Sequence, residues 1–414
     1  MNYLLEIAKN AQKASEELIK TNINDINNCL LDIADEMINQ NTLILEANAQ
    51  DVIKAVEKNT SKVLIDRLTL NEERIANIAQ QLKDVVKLDS PLNKITWSNT
   101  SKKGFNIKTI RVPLGVVLII YEARPNVTTE AMALCLKTCN ASILRGSSST
   151  INTNRVLLEI MKKAGEKYHL PDNYVQLVDS DSHDDVNELI KMNDYIDVVI
   201  PRGGANLINN VVNNSTVPVI ETGVGNNFAY VDNSADIDKA VNVLVNAKAQ
   251  RVSVCNSLEK ILIDKNISKE FLNKLNKGLK EAHVEVRVSN ELKEYFDESI
   301  ALKEEDLDIE YLDYIIGIKQ VNNLDEAISI INHHSTKHSN LILSNDYEKI
   351  KQFTNEIDAA CVFVNTSTRF ADGAEFGLGA EIGISNQKLH ARGPMGLEAL
   401  TSIKHIIDGE YSIK

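Results

Sequence analysis

Cys255 lies in Lys248-Ala249-Gln250-Arg251-Val252-Ser253-Val254-Cys255-Asn256-Ser257, a stretch dominated by small and polar residues. Apolar residues at helical spacing (Ile237, Ala240, Val241, Leu244) precede it, and a strand-like run over 258–264 follows. This pattern predicts a thiol presented on a turn, where it can reach a pocket. Arg251 and turn N–H groups would favour the thiolate, the form that attacks. Cys255 is therefore a candidate nucleophile. By residue type alone, a free cysteine is more often a small buried hydrophobe.

Other motifs suit anion and nucleotide chemistry. Val199-Ile200-Pro201-Arg202-Gly203-Gly204-Ala205-Asn206 reads as strand, glycine turn and helix start, where N–H groups and the positive dipole end suit a phosphate. Arg145-Gly146-Ser147-Ser148-Ser149-Thr150 sets a cation, a glycine and hydroxyls after a strand, which suits ribose and phosphate or simply a solvated loop. Glu221-Thr222-Gly223-Val224-Gly225 places a carboxylate beside flexible backbone. The segment from Asn365 is the densest in glycine and polar groups, and its cations Arg369, Lys388, His390 and Arg392 suit an anionic substrate. It also reads as a connection between domains. His333, His334 and His338 lack metal-ligand spacing and a carboxylate partner, so no metal is expected. Cys135 and Cys139, four apart on an apolar helix, read as core.

The elements that must position these groups follow an alternating rhythm. Residues 3–85 read as amphipathic helices, with Leu30, Leu31, Ile33, Ala34, Met37 and Ile38 on one stripe. Residues 88–112 read as a β-hairpin around Ser98-Asn99-Thr100-Ser101-Lys102-Lys103-Gly104. Strands then are expected at 116–121, 141–144, 174–178, 197–200, 217–221 and 228–231, with helices at 127–137, 151–164 and 184–192. Thr128-Thr129-Glu130 is the expected cap of the first of these helices. A second series follows Cys255, with strands near 258–264, 284–288, 314–321, 340–343 and 360–365 and helices near 268–281, 324–332 and 346–355. The fold class is α/β, with two doubly wound α/β domains plus a small β-hairpin. The expected division is 1–227 with the hairpin 88–112, then 228–365 carrying Cys255, then 366–414 as a return segment to the first domain.

The chain has 414 residues, too many for one ordinary core. Its formal charge of −13 argues against nucleic acid or an anionic membrane as partner. Five sparse cysteines suit reduced thiols in a cytoplasmic protein. The N-terminus lacks a signal-peptide pattern, and the apolar run 114–121 is far too short to span a bilayer.

Taken in order, these motifs resemble the gamma-glutamyl phosphate reductases (glutamate-5-semialdehyde dehydrogenases) of the aldehyde dehydrogenase-like superfamily. The resemblance runs from Val112-Pro113-Leu114-Gly115 and Glu122-Ala123-Arg124-Pro125-Asn126, through Leu144-Arg145-Gly146, Pro201-Arg202-Gly203-Gly204 and Ser253-Val254-Cys255-Asn256, to Gln387-Lys388-Leu389-His390-Ala391-Arg392-Gly393-Pro394. It implies that Cys255 is the nucleophile and Asn126 the oxyanion-hole amide. Glu221 corresponds to an acid/base in hydrolytic relatives and is here either that or a vestige. Arg145, Gly203, Gly204 and Glu310 fall at cofactor-binding positions. Arg124, Arg369, Lys388, His390 and Arg392 are assigned to the substrate. The resemblance further implies NADPH/NADP, a role in proline biosynthesis, a homo-oligomer built through the hairpin and the C-terminal strand, and a functional association with glutamate 5-kinase. Val252, Asn227-Phe228 and Asn340 depart from the family pattern. A hydrolytic aldehyde dehydrogenase and a catalytically silent binding protein are the competing readings.

Overall fold

The computed structural model describes residues 3–180, 182 and 184–414, which divide into two compact units. The first holds the described residues up to 222 together with 377–383 and 395–414, and the second holds 223–376 and 384–394. The segment after Phe376 thus alternates between the two rather than belonging to one.

In the first unit, the helices Tyr3–Leu18, Ile23–Asn39, Asn41–Glu57 and Glu72–Lys87 carry apolar stripes whose Leu30, Ile33, Ala34 and Met37 are buried. A four-stranded parallel sheet runs in the order Val175–Leu177, Ala141–Arg145, Val116–Tyr121, Val198–Arg202. Val116–Tyr121 is buried throughout, as a continuous apolar strand covered on both faces must be. Its neighbours are reached by connections leading to opposite sides, so the strand order reverses between Val116–Tyr121 and Val198–Arg202. A crevice for ligands forms at the carboxyl ends of strands at such a switch point. The expected hairpin is present as Ile95–Thr100 and Asn106–Pro113, joined by Thr401–Asp408 in an antiparallel three-stranded sheet.

In the second unit, seven parallel strands run in the order Ile300–Ala301, Glu285–Val288, Ile315–Val321, Leu258–Asp264, Asn227–Val231, Ser339–Leu343, Cys361–Val364. Ile261, Ile263, Phe271, Leu275, Ile316 and Leu341 form one core of this unit, and Phe228, Tyr230, Leu262, Ile328 and Phe353 form another. Each fully buried side chain of this size stabilises by roughly 1.5–3 kcal/mol.

Two expectations are corrected. Residues 217–221 make no strand: Val199 N donates to Pro218 O and Ile220 N to Val199 O, and only the bridge Val199–Val219 forms. The apolar residues there serve burial, of Val217 and Ile220, rather than ladder pairing. The helix expected over 127–137, with its cap at Thr128-Thr129-Glu130, starts instead at Pro125, within Pro125–Lys137. Proline at the first helical turn loses no hydrogen bond, and the Thr129 hydroxyl donates to the Asn126 carbonyl inside the helix rather than capping it.

Candidate active site

Cys255 sits half-buried on the turn between the helix Ile237–Ala249 and the strand Leu258–Asp264. Its backbone is held on several sides. The Asn227 side chain donates to the carbonyls of Cys255 and Ser257, both at 2.7 Å, and its oxygen accepts from Ser339 N at 3.0 Å. Asn256 Nδ2 donates to Ala371 O at 2.9 Å, and the Asn256 carbonyl accepts from the Thr368 hydroxyl at 2.8 Å. Gly225 packs so closely that a Cβ there would stand 1.5 Å from the Cys255 carbonyl oxygen. Asn227, Leu258 and Ser339 each open a strand, so the thiol stands at the amino-terminal edge of this sheet.

Arg369 is the tail cation that this turn engages. Its Nε donates to Gln250 Oε1 at 2.7 Å, its carbonyl lies 3.4 Å from Asn256 Nδ2, and its Nη1 is buried without a hydrogen-bond partner among the described residues. Burial pushes the proton affinity of its guanidinium down and Arg251 adds to this, while Cys255 and Asp372 oppose it. An arginine held this way, with a donor unspent, suits a bidentate anion.

Lys388 and Arg392 converge elsewhere. Asp358 accepts from Lys337 at 2.9 Å, Lys388 at 2.9 Å and Arg392 at 2.7 Å, and these three cations hold its carboxyl well below the usual range. His390 is exposed, with φ +69°, in the same loop.

Glu310 lies half-buried with Oε1 accepting from Gly225 N at 2.6 Å. Burial pushes its carboxyl up to about 7; the Gly225 bond opposes this, Glu259 reinforces it, and Lys248 and Lys260 oppose it. A carboxylate assigned to a cofactor hydroxyl is thereby parked on the backbone N–H of Gly225, the glycine that abuts Cys255.

The first unit carries the remaining assigned groups. Asn126 occupies the first turn of its helix, its amide donating to Glu130 Oε1 at 2.9 Å, and Arg124 is the residue before that helix. Burial pushes the Glu221 carboxyl up. Arg145, buried at the end of its strand, donates to Gly146 O at 3.2 Å and Ser182 O at 2.9 Å, so it shapes the loop it was expected to lend to a nucleotide. Gly203 and Gly204 end the strand Val198–Arg202 at the switch point, where a Cβ on Gly203 would stand 2.6 Å from the Glu122 carboxyl carbon. Gly204 caps the helix Ala205–Asn214 with no side-chain bond, and Gly203 to Asn206 are exposed. An uncapped, exposed helix start at a switch point fits a dinucleotide phosphate.

Sequence reasoning missed Asn227, whose amide ties three segments together, and Asp358, whose three cations come from two distant stretches. No local signal marks either. The Asn340 departure has a use: its Oδ1 accepts from Phe228 N at 3.0 Å inside the core. His334 pairs with Asp308 at 2.8 Å, and among the described residues no group of three or more His, Cys, Asp or Glu is placed to hold a metal. Among them too, no helix is long and apolar enough to cross a membrane.

Comparison with known proteins bears on this geometry. The aldehyde dehydrogenase family model matches residues 4–294 and 314–406. Gamma-glutamyl phosphate reductase of Clostridium perfringens is 51% identical over 413 residues, covering 100% of both chains. The enzyme of that name from Dictyoglomus thermophilum is 48% identical over 414 residues, again covering 100% of both. The crystal structure of gamma-glutamyl phosphate reductase from Thermotoga maritima superposes with a TM-score of 0.97 at 43% identity, covering 100% of each chain. With a thiol held on a strand-opening turn in one parallel sheet and a glycine turn at the switch point of another, the chain belongs to the aldehyde dehydrogenase family.

Proposed function

We propose that this protein reduces L-glutamate 5-phosphate to L-glutamate 5-semialdehyde and phosphate through a Cys255 thioester, with NADPH as reductant, in cytoplasmic proline biosynthesis. The observation that carries the reading is the immobilised Cys255 turn, in a chain about half identical, end to end, to enzymes named for this reaction.

The Cys255 thiolate forms an S–C bond to the γ-carbonyl carbon. As the tetrahedral oxyanion collapses, the C–O bond to phosphate breaks and phosphate departs with the electron pair. Phosphate needs its charge neutralised more than it needs a proton, which is the role assigned to Arg369. The Cys255 N–H and the Asn126 amide are assigned to the oxyanion. When bound, the reduced nicotinamide dinucleotide supplies the hydride that takes the thioester to the aldehyde level. Cys255 then leaves as thiolate when the C–S bond breaks, restoring the starting state. Gly203, Gly204 and Arg145 serve the dinucleotide, the glycine turn by its N–H groups and Arg145 by fixing its loop. Glu310 would serve the nicotinamide ribose. Arg124, Lys388, His390 and Arg392 complete the substrate assignment, Lys388 and Arg392 through the loop they anchor on Asp358. Burial raises the Glu221 carboxyl, the direction that strengthens it as a base, so protection of the thioester rests on exclusion of water.

Two further parts belong to the same proposal: a homo-oligomer joined through the hairpin and the strand Thr401–Asp408, and a functional association with glutamate 5-kinase. The test of the central reading is turnover of the semialdehyde with NADP+ or NAD+, with and without phosphate. Phosphate-dependent, NADP+-preferring oxidation is expected. Phosphate-independent turnover to glutamate would instead identify a hydrolytic aldehyde dehydrogenase.

A further inference from the structure

Lys260 lies in the strand Leu258–Asp264, three residues after the strand's approach turn leaves Ser257, and is wholly buried. Its neighbour Glu259 is also wholly buried and forms an ion pair with Lys248 at 3.1 Å, its other oxygen accepting from Tyr311 N at 3.0 Å. Successive strand residues face opposite ways, and Lys260 has no carboxylate within 4 Å among the described residues. Its ammonium is satisfied by neutral groups instead. Nζ donates to Asn226 Oδ1 at 3.0 Å and to Ile309 O at 2.7 Å, and stands 4.2 Å from the centre of the Tyr311 ring.

Those acceptors are informative by position. Asn226 follows Gly225, whose backbone abuts the Cys255 carbonyl. Ile309 precedes Glu310, whose carboxylate accepts from Gly225 N. Asn226 also donates to Leu307 O at 2.7 Å and His334 O at 2.9 Å. One buried cation therefore ties the loop under the thiol to the loop carrying Glu310. A cation buried without an ion pair costs several kcal/mol, and an apolar side chain of similar volume is often neutral or stabilising at such a site. Stability alone gives little reason for a lysine here.

We propose that Lys260 is a positioning residue for the reaction, clamping the Gly225-Asn226 and Ile309-Glu310 segments so that the Cys255 turn and the Glu310 carboxylate hold a fixed register. The inference rests on the reading of Cys255 as nucleophile. Burial also pushes the Lys260 ammonium down to about 7, with Glu259 and Asp306 opposing and Lys248 and Arg287 reinforcing.

The test is Lys260→Met in the full chain, with thermal melting, steady-state kinetics and the rate of Cys255 alkylation by iodoacetamide in the absence of substrate. The expected result is a folded protein whose kcat and alkylation rate both fall by about tenfold or more, because small misplacements at a reacting centre are costly, with KM for NADP+ also raised. Alkylation reads the thiol without any substrate, so its outcome is separate from the identity of the reaction. Melting unchanged or shifted with kcat and alkylation both within about twofold of wild type would overturn the proposal and leave Lys260 a core residue. If Lys260→Met does not fold, Asn226→Ser cuts one end of the clamp while keeping the cation, and the same two rates decide in the same way.

Discussion

Gly225 and Cys255 meet backbone to backbone: a Cβ on residue 225 would lie 1.5 Å from the Cys255 carbonyl oxygen and 2.7 Å from its Cα. Neither atom is the end of a flexible side chain, so one of the two segments must move to admit even a methyl group. Gly225→Ala is predicted to destabilise the protein by about 1–3 kcal/mol, as overpacking does. It should lower kcat by roughly 10²-fold through displacement of the thiol. Urea melts and steady-state kinetics check the two effects together. A variant with wild-type kcat would show that this contact does not set the position of Cys255.

The two tail arginines are predicted to behave differently, because only Arg369 is joined to the Cys255 turn through Gln250 and Asn256. Arg369→Gln should raise KM for phosphate in the oxidative direction by about tenfold, the scale of one lost charge-assisted hydrogen bond, with KM for NADP+ unchanged. Arg392→Gln removes one of three cations around Asp358 and should leave that KM within about twofold, with a stability change under about 1 kcal/mol. Equal KM effects for the two would return Arg392 to direct substrate contact.

Removing the Asn126 amide is predicted to cost about 10²–10³-fold in kcat, the usual consequence of losing one oxyanion donor. Asn126→Ala also removes the hydrogen bond to Glu130 on the next turn, so circular dichroism should accompany the kinetics. An effect confined to KM would make Asn126 a ground-state binding group.

Glu310 gives a pH signature. Its folded-state value is raised to about 7, above the ordinary carboxyl value of about 4.3, so between these limits the folded protein binds more protons than the unfolded chain. Stability from this group is therefore fully present below the unfolded value and lost as pH rises towards 7, then flat. Melting temperatures of wild type and Glu310→Gln from pH 5 to pH 8 should diverge in favour of the variant up to about pH 7 and run parallel above it. Parallel curves throughout would contradict the raised value.

The sequence made some parts of this account readable and hid others for physical reasons. Leu258–Asp264 was legible because a run of apolar and β-branched residues after a turn has few other uses, and the Cys255 turn because its small polar residues interrupt two regular patterns. Residues 217–221 misled because β composition says nothing about whether a neighbouring strand offers a full ladder. Asn227, Lys260 and Asp358 were invisible because their partners lie far along the chain: Ser339 N, Ile309 O and Arg392. Arg145 was identified by type, yet its bonds to Gly146 and Ser182 carbonyls show a loop-shaping use that a motif does not reveal.

The most direct test of the central claim is turnover of Cys255→Ala with semialdehyde, NADP+ and phosphate, beside intact-mass measurement of wild type and variant given semialdehyde and NADP+ without phosphate. The account predicts a folded variant with turnover almost abolished, and one glutamyl thioester per chain on wild type with none on the variant. Retention of about a tenth or more of the wild-type rate, or an adduct that persists without the thiol, would contradict covalent catalysis by Cys255.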